Sequence, residues 1–167
     1  NTIVIFTNDN GGEWLSRNAP LFHHKGTVWE GGIRVPTIVR WPGRIPARRV
    51  SGQVGITMDL TASILAASGT TVPAEARLEG INLLPVLEGR APEIERTLFW
   101  RVAGARTQQA VRSGEWKLLF DGGRPMLFNL RADIGERVNV IGQRPEIARR
   151  LRQQLTAWQE DVDAEAK

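Results

Sequence analysis

Thr2-Ile3-Val4-Ile5-Phe6-Thr7-Asn8-Asp9-Asn10-Gly11-Gly12 begins as an apolar, β-branched run and ends abruptly in a polar turn. Apolar residues at consecutive rather than alternate positions read as a strand covered on both faces, as in a parallel or mixed sheet. Asp9 and Asn10 come directly after it, with glycines behind them, and the carboxyl edge of an open α/β sheet is where ligand groups gather. Their side-chain oxygens suit a hard cation such as Ca2+, which takes roughly six to eight oxygen ligands. An Asx turn, in which the two side chains bond their own backbone, uses the same residues, and the stretch alone does not choose between these readings.

A polar loop with Pro20 and the pair His23-His24 leads to Lys25-Gly26-Thr27-Val28-Trp29-Glu30-Gly31-Gly32-Ile33-Arg34-Val35-Pro36. A lysine ammonium is a compact donor of three hydrogen bonds and can grip an oxyanion such as sulfate or phosphate. A solvated surface charge is the plain alternative for Lys25. The histidines have two readings as well, a proton donor to a leaving alcohol or exposed loop residues. Trp29 and Glu30 are expected to pack beneath the loop, with Glu30 tethering a backbone amide. Ile33 to Trp41 reads as a second strand ended by Pro42-Gly43, placed at an edge or at its own beginning by Pro36.

The pattern turns helical over Thr57 to Ser68, with Leu60, Ile64 and Leu65 on one stripe and Gly69 in the position that favours left-handed backbone. Leu83, Leu84, Val86 and Leu87 predict a short packed helical turn. Strands are predicted at Thr97 to Val102, Gln108 to Arg112, Trp116 to Phe120 and Met126 to Asn129, the last three joined by turns at Ser113-Gly114 and Asp121-Gly122-Gly123. Ile147, Leu151, Leu155, Trp158 and Val162 share one face of a helix from Pro145 to about Val162. Trp100, Trp116 and Trp158 are expected in the core of this lobe. The organisation expected is an α/β part over residues 1–95 and an antiparallel lobe with its C-terminal helix over residues 96–167.

The 167 residues, 41% of them hydrophobic and 24% charged, have the balance of a globular protein with a core. The formal charge of +4 is carried mostly by arginines spread along the chain, without the concentrated face and interleaved aromatics of a nucleic-acid module, so no nucleic-acid partner is expected. No apolar run approaches the roughly 20 residues of a membrane span. Cysteine is absent, which excludes disulfides, thiolate metal sites and a cysteine nucleophile from this chain. No targeting signal is readable, so the compartment stays open.

The ordered blocks of this chain resemble the sulfatase family of the alkaline phosphatase superfamily, over essentially its whole length. They are the strand with Thr7-Asn8-Asp9-Asn10-Gly11, Lys25 to Pro36, Ile38-Val39-Arg40-Trp41-Pro42-Gly43, Asp59 to Gly69, Leu78 to Leu87, Ala110-Val111-Arg112 with Trp116-Lys117-Leu118, and Leu127 to Leu130 with Asp133 to Glu136. The resemblance implies part of the large sulfatase sheet with its helices, followed by a small antiparallel sheet with a C-terminal helix. It implies hydrolysis of sulfate esters, with Asp9 and Asn10 as Ca2+ ligands and Lys25 on the substrate's sulfate. The family's formylglycine nucleophile arises in a Cys/Ser-X-Pro/Ala-X-Arg signature, which none of Ser16, Ser51, Ser63, Ser68 and Ser113 satisfies. The chain thus reads as a truncated C-terminal portion with no catalytic nucleophile, inactive alone and at best a weak Ca2+ binder. Two rivals are a phosphodiesterase or phosphonate monoester hydrolase of the same superfamily, and a non-catalytic domain. An exposed sheet edge at Ile3 to Phe6, open to self-association, is also expected.

Overall fold

The structure is a computed structural model and describes residues 1–103 and 106–165. In chain order its elements are β1 (Val4–Phe6), α1 (Glu30–Ile33), β2 (Ile38–Arg40), α2 (Thr57–Ser68), α3 (Leu84–Leu87), β3 (Thr97–Val102), β4 (Gln108–Ser113), β5 (Trp116–Asp121), β6 (Arg124–Asn129) and α4 (Pro145–Glu165). The chain forms two compact units, Asn1–Asp9 with Pro36–Glu95, and Asn10–Val35 with Arg96–Lys167. The second unit therefore takes in residues 10–35 as well as the lobe expected after residue 95.

In the first unit β1 pairs antiparallel with β2, Ile5 opposite Val39. The buried parallel or mixed strand expected here is replaced by an antiparallel pair with much apolar surface open, Val4 being 49%, Phe6 57% and Ile38 62% exposed. The second strand is also shorter than expected: of Ile33 to Trp41 only Ile38–Arg40 pair, Ile33 closing a helical turn that begins at Glu30 and residues 34–37 running outside the ladder. Helix α2 has the expected bounds, and Gly69 ends it in left-handed backbone at φ 72°. Its buried positions are Asp59 and Ser63, however, while Ile64 of the expected apolar stripe is exposed. The reason is polar: Asp59 Oδ2 accepts the Ile56 amide at 2.7 Å, Asp59 Oδ1 the Ile81 amide at 2.9 Å, and Ser63 Oγ the Leu83 amide at 3.0 Å. Leu83, Leu84 and Val86 are buried at α3, as the apolar patch predicted.

The second unit is built on the antiparallel sheet β3-β4-β5-β6, with Val111 opposite Leu118 and Leu118 opposite Leu127. Side chains alternate between the faces of a strand, so each strand feeds two cores. Val111, Leu118 and Leu127 meet Ala148, Leu151 and Leu155 of α4, with Trp116 at the margin and Trp158 stacked on Phe99 at 5.2 Å. Ala110, Leu119 and Phe128 meet Val28 and Trp29 on the opposite face, with Trp100 packed against them. The three tryptophans expected in the core are partly buried and pack against it, Trp100 on one face and Trp116 and Trp158 on the other. The segment carrying Lys25 is the cover of one of those faces. No helix among the described residues is long and apolar enough to cross a membrane.

Candidate active-site loop

Backbone bonds knot the second unit's N-terminal segment. The Gly11 amide donates to Gly32 O at 2.8 Å, the Lys25 amide to Gly12 O at 2.8 Å, and the Gly31 amide to Phe22 O at 2.8 Å. Asn18 Nδ2 donates to both Gly12 O and His23 O, and Thr27 Oγ1 to His24 O. A Cβ on Gly11 would overlap the Gly31 carbonyl, and one on Gly31 the carbonyls of Phe22 and His23, so this close approach demands glycine at both.

Asn10 and Lys25 lie in this same unit, brought together through Gly12; Asp9 is the exposed last residue of the first unit's opening segment, peptide-bonded to Asn10. The Lys25 side chain is 52% exposed and its Nζ stands 3.8 Å from the exposed Glu13 Oε2, a loose pair that leaves the ammonium accessible. His23 stacks on Trp29 at 5.6 Å. Its pKa is lowered by burial and by His24, with Arg106 adding to this and Asp121 opposing, which favours the neutral ring. His24 Nδ1 lies 2.8 Å from Lys25 O and its ring stands edge to Trp14 at 4.7 Å. Trp14, Phe22 and both histidines line an open depression of about 280 Å³.

Beneath the loop lies a charged cluster that the sequence reading missed. Lys117 Nζ is 2.9 Å from Glu30 Oε1 and 2.9 Å from Glu136 Oε1, and these three side chains are 0%, 2% and 0% exposed. Glu136 Oε2 also accepts the Glu30 amide at 2.6 Å. Glu30 was expected to tether an amide; it is instead the acceptor for Lys117, and its own amide is the one tethered. Arg34 reaches Glu30 Oε2 at 3.3 Å. Burial raises the Glu30 pKa, but Lys117, Arg112 and Arg34 outweigh it and the net shift is downward. Burial dominates at Glu136 and raises its pKa in spite of Lys117 and the Glu30 amide. One signal could have revealed the cluster: a lysine inside Trp116-Lys117-Leu118-Leu119, a strand apolar on both faces, requires a buried carboxylate.

The family described as N-sulphoglucosamine sulphohydrolase, C-terminal, matches residues 20–161, and the chain belongs to it. It is 39% identical over 126 residues to N-acetylgalactosamine-6-sulfatase of Canis lupus familiaris, covering 72% of this chain and 24% of that protein. It is 32% identical over 178 residues to arylsulfatase A of Bos taurus, covering 88% of this chain and 35% of that protein. The crystal structure of Ps i-CgsB superposes with a TM-score of 0.88 at 27% identity, covering 95% of this chain and 36% of that one. The chain therefore spans about a quarter to a third of the length of these relatives, and its fold is the mixed α/β fold of the C-terminal part of alkaline-phosphatase-like sulfatases.

Proposed function

We propose that this chain is the C-terminal part of a larger sulfate-ester hydrolase in which Asp9 and Asn10 ligate Ca2+ and Lys25 holds the substrate's sulfate. The observation carrying this reading is the 2.8 Å bond from the Lys25 backbone amide to Gly12 O, which ties the backbone bearing the exposed ammonium to the turn beginning at Asn10. Family membership and the share of the relatives covered support it further.

A carboxylate and a carboxamide are the oxygen donors a hard cation takes, so the residues fit Ca2+ in kind. They fall short in number, and no group of three or more His, Asp or Glu side chains arranged for a metal is found among the described residues. The remaining ligands would then come from outside this chain, leaving it a weak Ca2+ site alone. When bound, the cation supplies charge withdrawal from the sulfate ester. Lys25 directs its donors and positive charge at sulfate oxygens, where negative charge develops as the ester breaks. Gly12 and Gly32 hold the loop through their carbonyls, so this charge is offered from a fixed backbone.

None of the five serines carries the nucleophile signature, and cysteine is absent, so the attacking group also lies outside these residues. The same reading accounts for the exposed Val4, Phe6 and Ile38, which the rest of the protein would cover and which in the isolated chain would favour edge pairing between copies. Light scattering tests that arm, and a strictly monomeric chain would oppose it. The main test is turnover of an aryl sulfate. The full-length protein should hydrolyse it with Ca2+ and lose this with Lys25→Ala, while the 167-residue chain should be inactive; calcium-dependent turnover by that chain alone would overturn the reading. Preference for phosphate mono- or diesters over the sulfate would favour the phosphohydrolase alternative.

A further inference from the structure

We propose that Lys117 and Glu136 are positioning residues for the sulfate-binding loop, clamping the segment that carries Asn10 and Lys25 onto the sheet through Glu30. The inference rests on the sulfate role of Lys25 for its function, but the clamp itself stands on geometry. Glu30 lies at the start of the turn Glu30–Ile33, whose Gly32 carbonyl accepts the Gly11 amide, one residue after Asn10. Gly12 in turn accepts the Lys25 amide. Lys117, on the inner strand β5, grips the Glu30 side chain while Glu136 takes the Glu30 amide, so both handles of that turn are held. The Lys117 link ties the sheet, and the Glu136 link the loop after β6, to the backbone around the proposed site, and neither passes through the Lys25 side chain.

The loop carrying Glu136 is itself shaped for this. Glu136 sits in left-handed backbone at φ 51°, a conformation uncommon for a side chain of this kind. Asp133 Oδ2 accepts the amides of Arg137 at 2.7 Å and Val138 at 2.8 Å, closing the loop around it. Gly135 passes so near the Pro20 carbonyl that a Cβ there would lie 2.8 Å from its oxygen, placing this loop against the segment it holds. Stability alone does not call for such a cluster. Buried ion pairs replaced by apolar groups of similar volume are often as stable or more so, and this face already has an apolar core in Val28, Trp29, Leu119 and Phe128. What charges add is a defined register between segments distant in the chain.

Amide hydrogen exchange on the 167-residue chain tests the clamp. Lys117→Met should speed exchange of the Gly11, Gly31 and Lys25 amides tenfold or more relative to those of Leu118 and Leu127. Leu151→Ala, which loosens the sheet from the α4 face, serves as the control for plain destabilisation and should not produce this selective pattern. Unchanged exchange at Gly11 and Lys25 in Lys117→Met, or equal acceleration throughout the unit, overturns the clamp. If Lys117→Met does not fold, Glu136→Leu, which roughly keeps the volume but removes the acceptor of the Glu30 amide, is read by the same two outcomes. Titration with inorganic sulfate, followed at the Lys25 amide, separates the premises. Lys25→Ala should abolish the response and Lys117→Met weaken it severalfold. A response that survives Lys25→Ala removes the sulfate role while leaving the clamp to the exchange result.

Discussion

In the first unit the buried face of α2 carries Asp59 and Ser63, each bonded to loop amides, while Met58 and Ile64 of the same helix are exposed. In the second unit α4 buries Ala148, Leu151 and Leu155 against the sheet, and the buried charges lie on the sheet's other face, where Lys117 meets two carboxylates. Both units thus use buried polar groups to hold a loop, Ile81 to Leu83 in one and Gly11 to Ile33 in the other. They differ in what surrounds the latch. The second unit has an apolar core on each side of its sheet, so its latch can specify position, whereas in the first unit the latch is a principal contact of the helix with its loop.

This contrast is open to direct test, and the largest effect belongs to the apolar core. Leu151→Ala should cost about 2–5 kcal/mol, the range for emptying a fully buried leucine site, measured by urea unfolding of the second unit. Asp59→Ala comes next. It removes the acceptor of the Ile56 and Ile81 amides in a buried place and should cost about 2–3 kcal/mol, read as accelerated exchange of the Ile81 amide. A cost below about 0.5 kcal/mol, the level of an ordinary surface substitution, would mean that the polar latch is not what holds the first unit's loop.

The second unit was the more legible in sequence, for a physical reason. β3 to β6 and α4 lie within two or three residues of the predicted bounds because their apolar periodicity matches the geometry of two covered sheet faces and one helix stripe. The bounds of α2 were equally readable from Gly69, but its buried face was not, since periodicity counts apolar residues and this face is polar. The turn at Glu30 read as the approach to a strand because its glycines are held by contacts with Phe22, Thr27 and Trp29 that no local pattern encodes. The charged cluster joins residues 87 and 106 positions apart, and the membership of residues 10–35 in the second unit is equally non-local. Of the candidate site, residue chemistry singled out Asp9, Asn10 and Lys25 with plain alternatives beside them, and the family resemblance supplied their expected roles. The backbone knot that ties Lys25 to Gly12 came only from the fold.

The charged latch should also leave a signature in pH. Glu30 has a lowered pKa, so its contribution to stability is present above the ordinary carboxylate value of 4.5 and is lost as the pH falls through its lower folded value. Glu136 has a raised pKa, so the folded chain takes up its proton before the unfolded chain does, and stability rises as the pH falls from the raised value toward 4.5. Unfolding midpoints across acid pH should therefore rise and then fall. Glu136→Gln should remove the rise and Glu30→Gln should weaken the fall; a profile unchanged by either substitution would show that these carboxylates are not held as described.

The smallest effect on stability is expected where the largest effect on function is proposed. Lys25 pairs with the exposed Glu13 at 3.8 Å, so Lys25→Ala should change unfolding free energy by less than about 0.5 kcal/mol. Its backbone bond to Gly12 does not depend on the side chain and should persist in the variant, visible as unchanged exchange of that amide. A residue that costs the fold nothing yet abolishes the sulfate response is acting on the ligand. If Lys25→Ala instead destabilises the second unit as strongly as Lys117→Met does, the ammonium belongs to the fold, and the assignment of sulfate to it loses its ground.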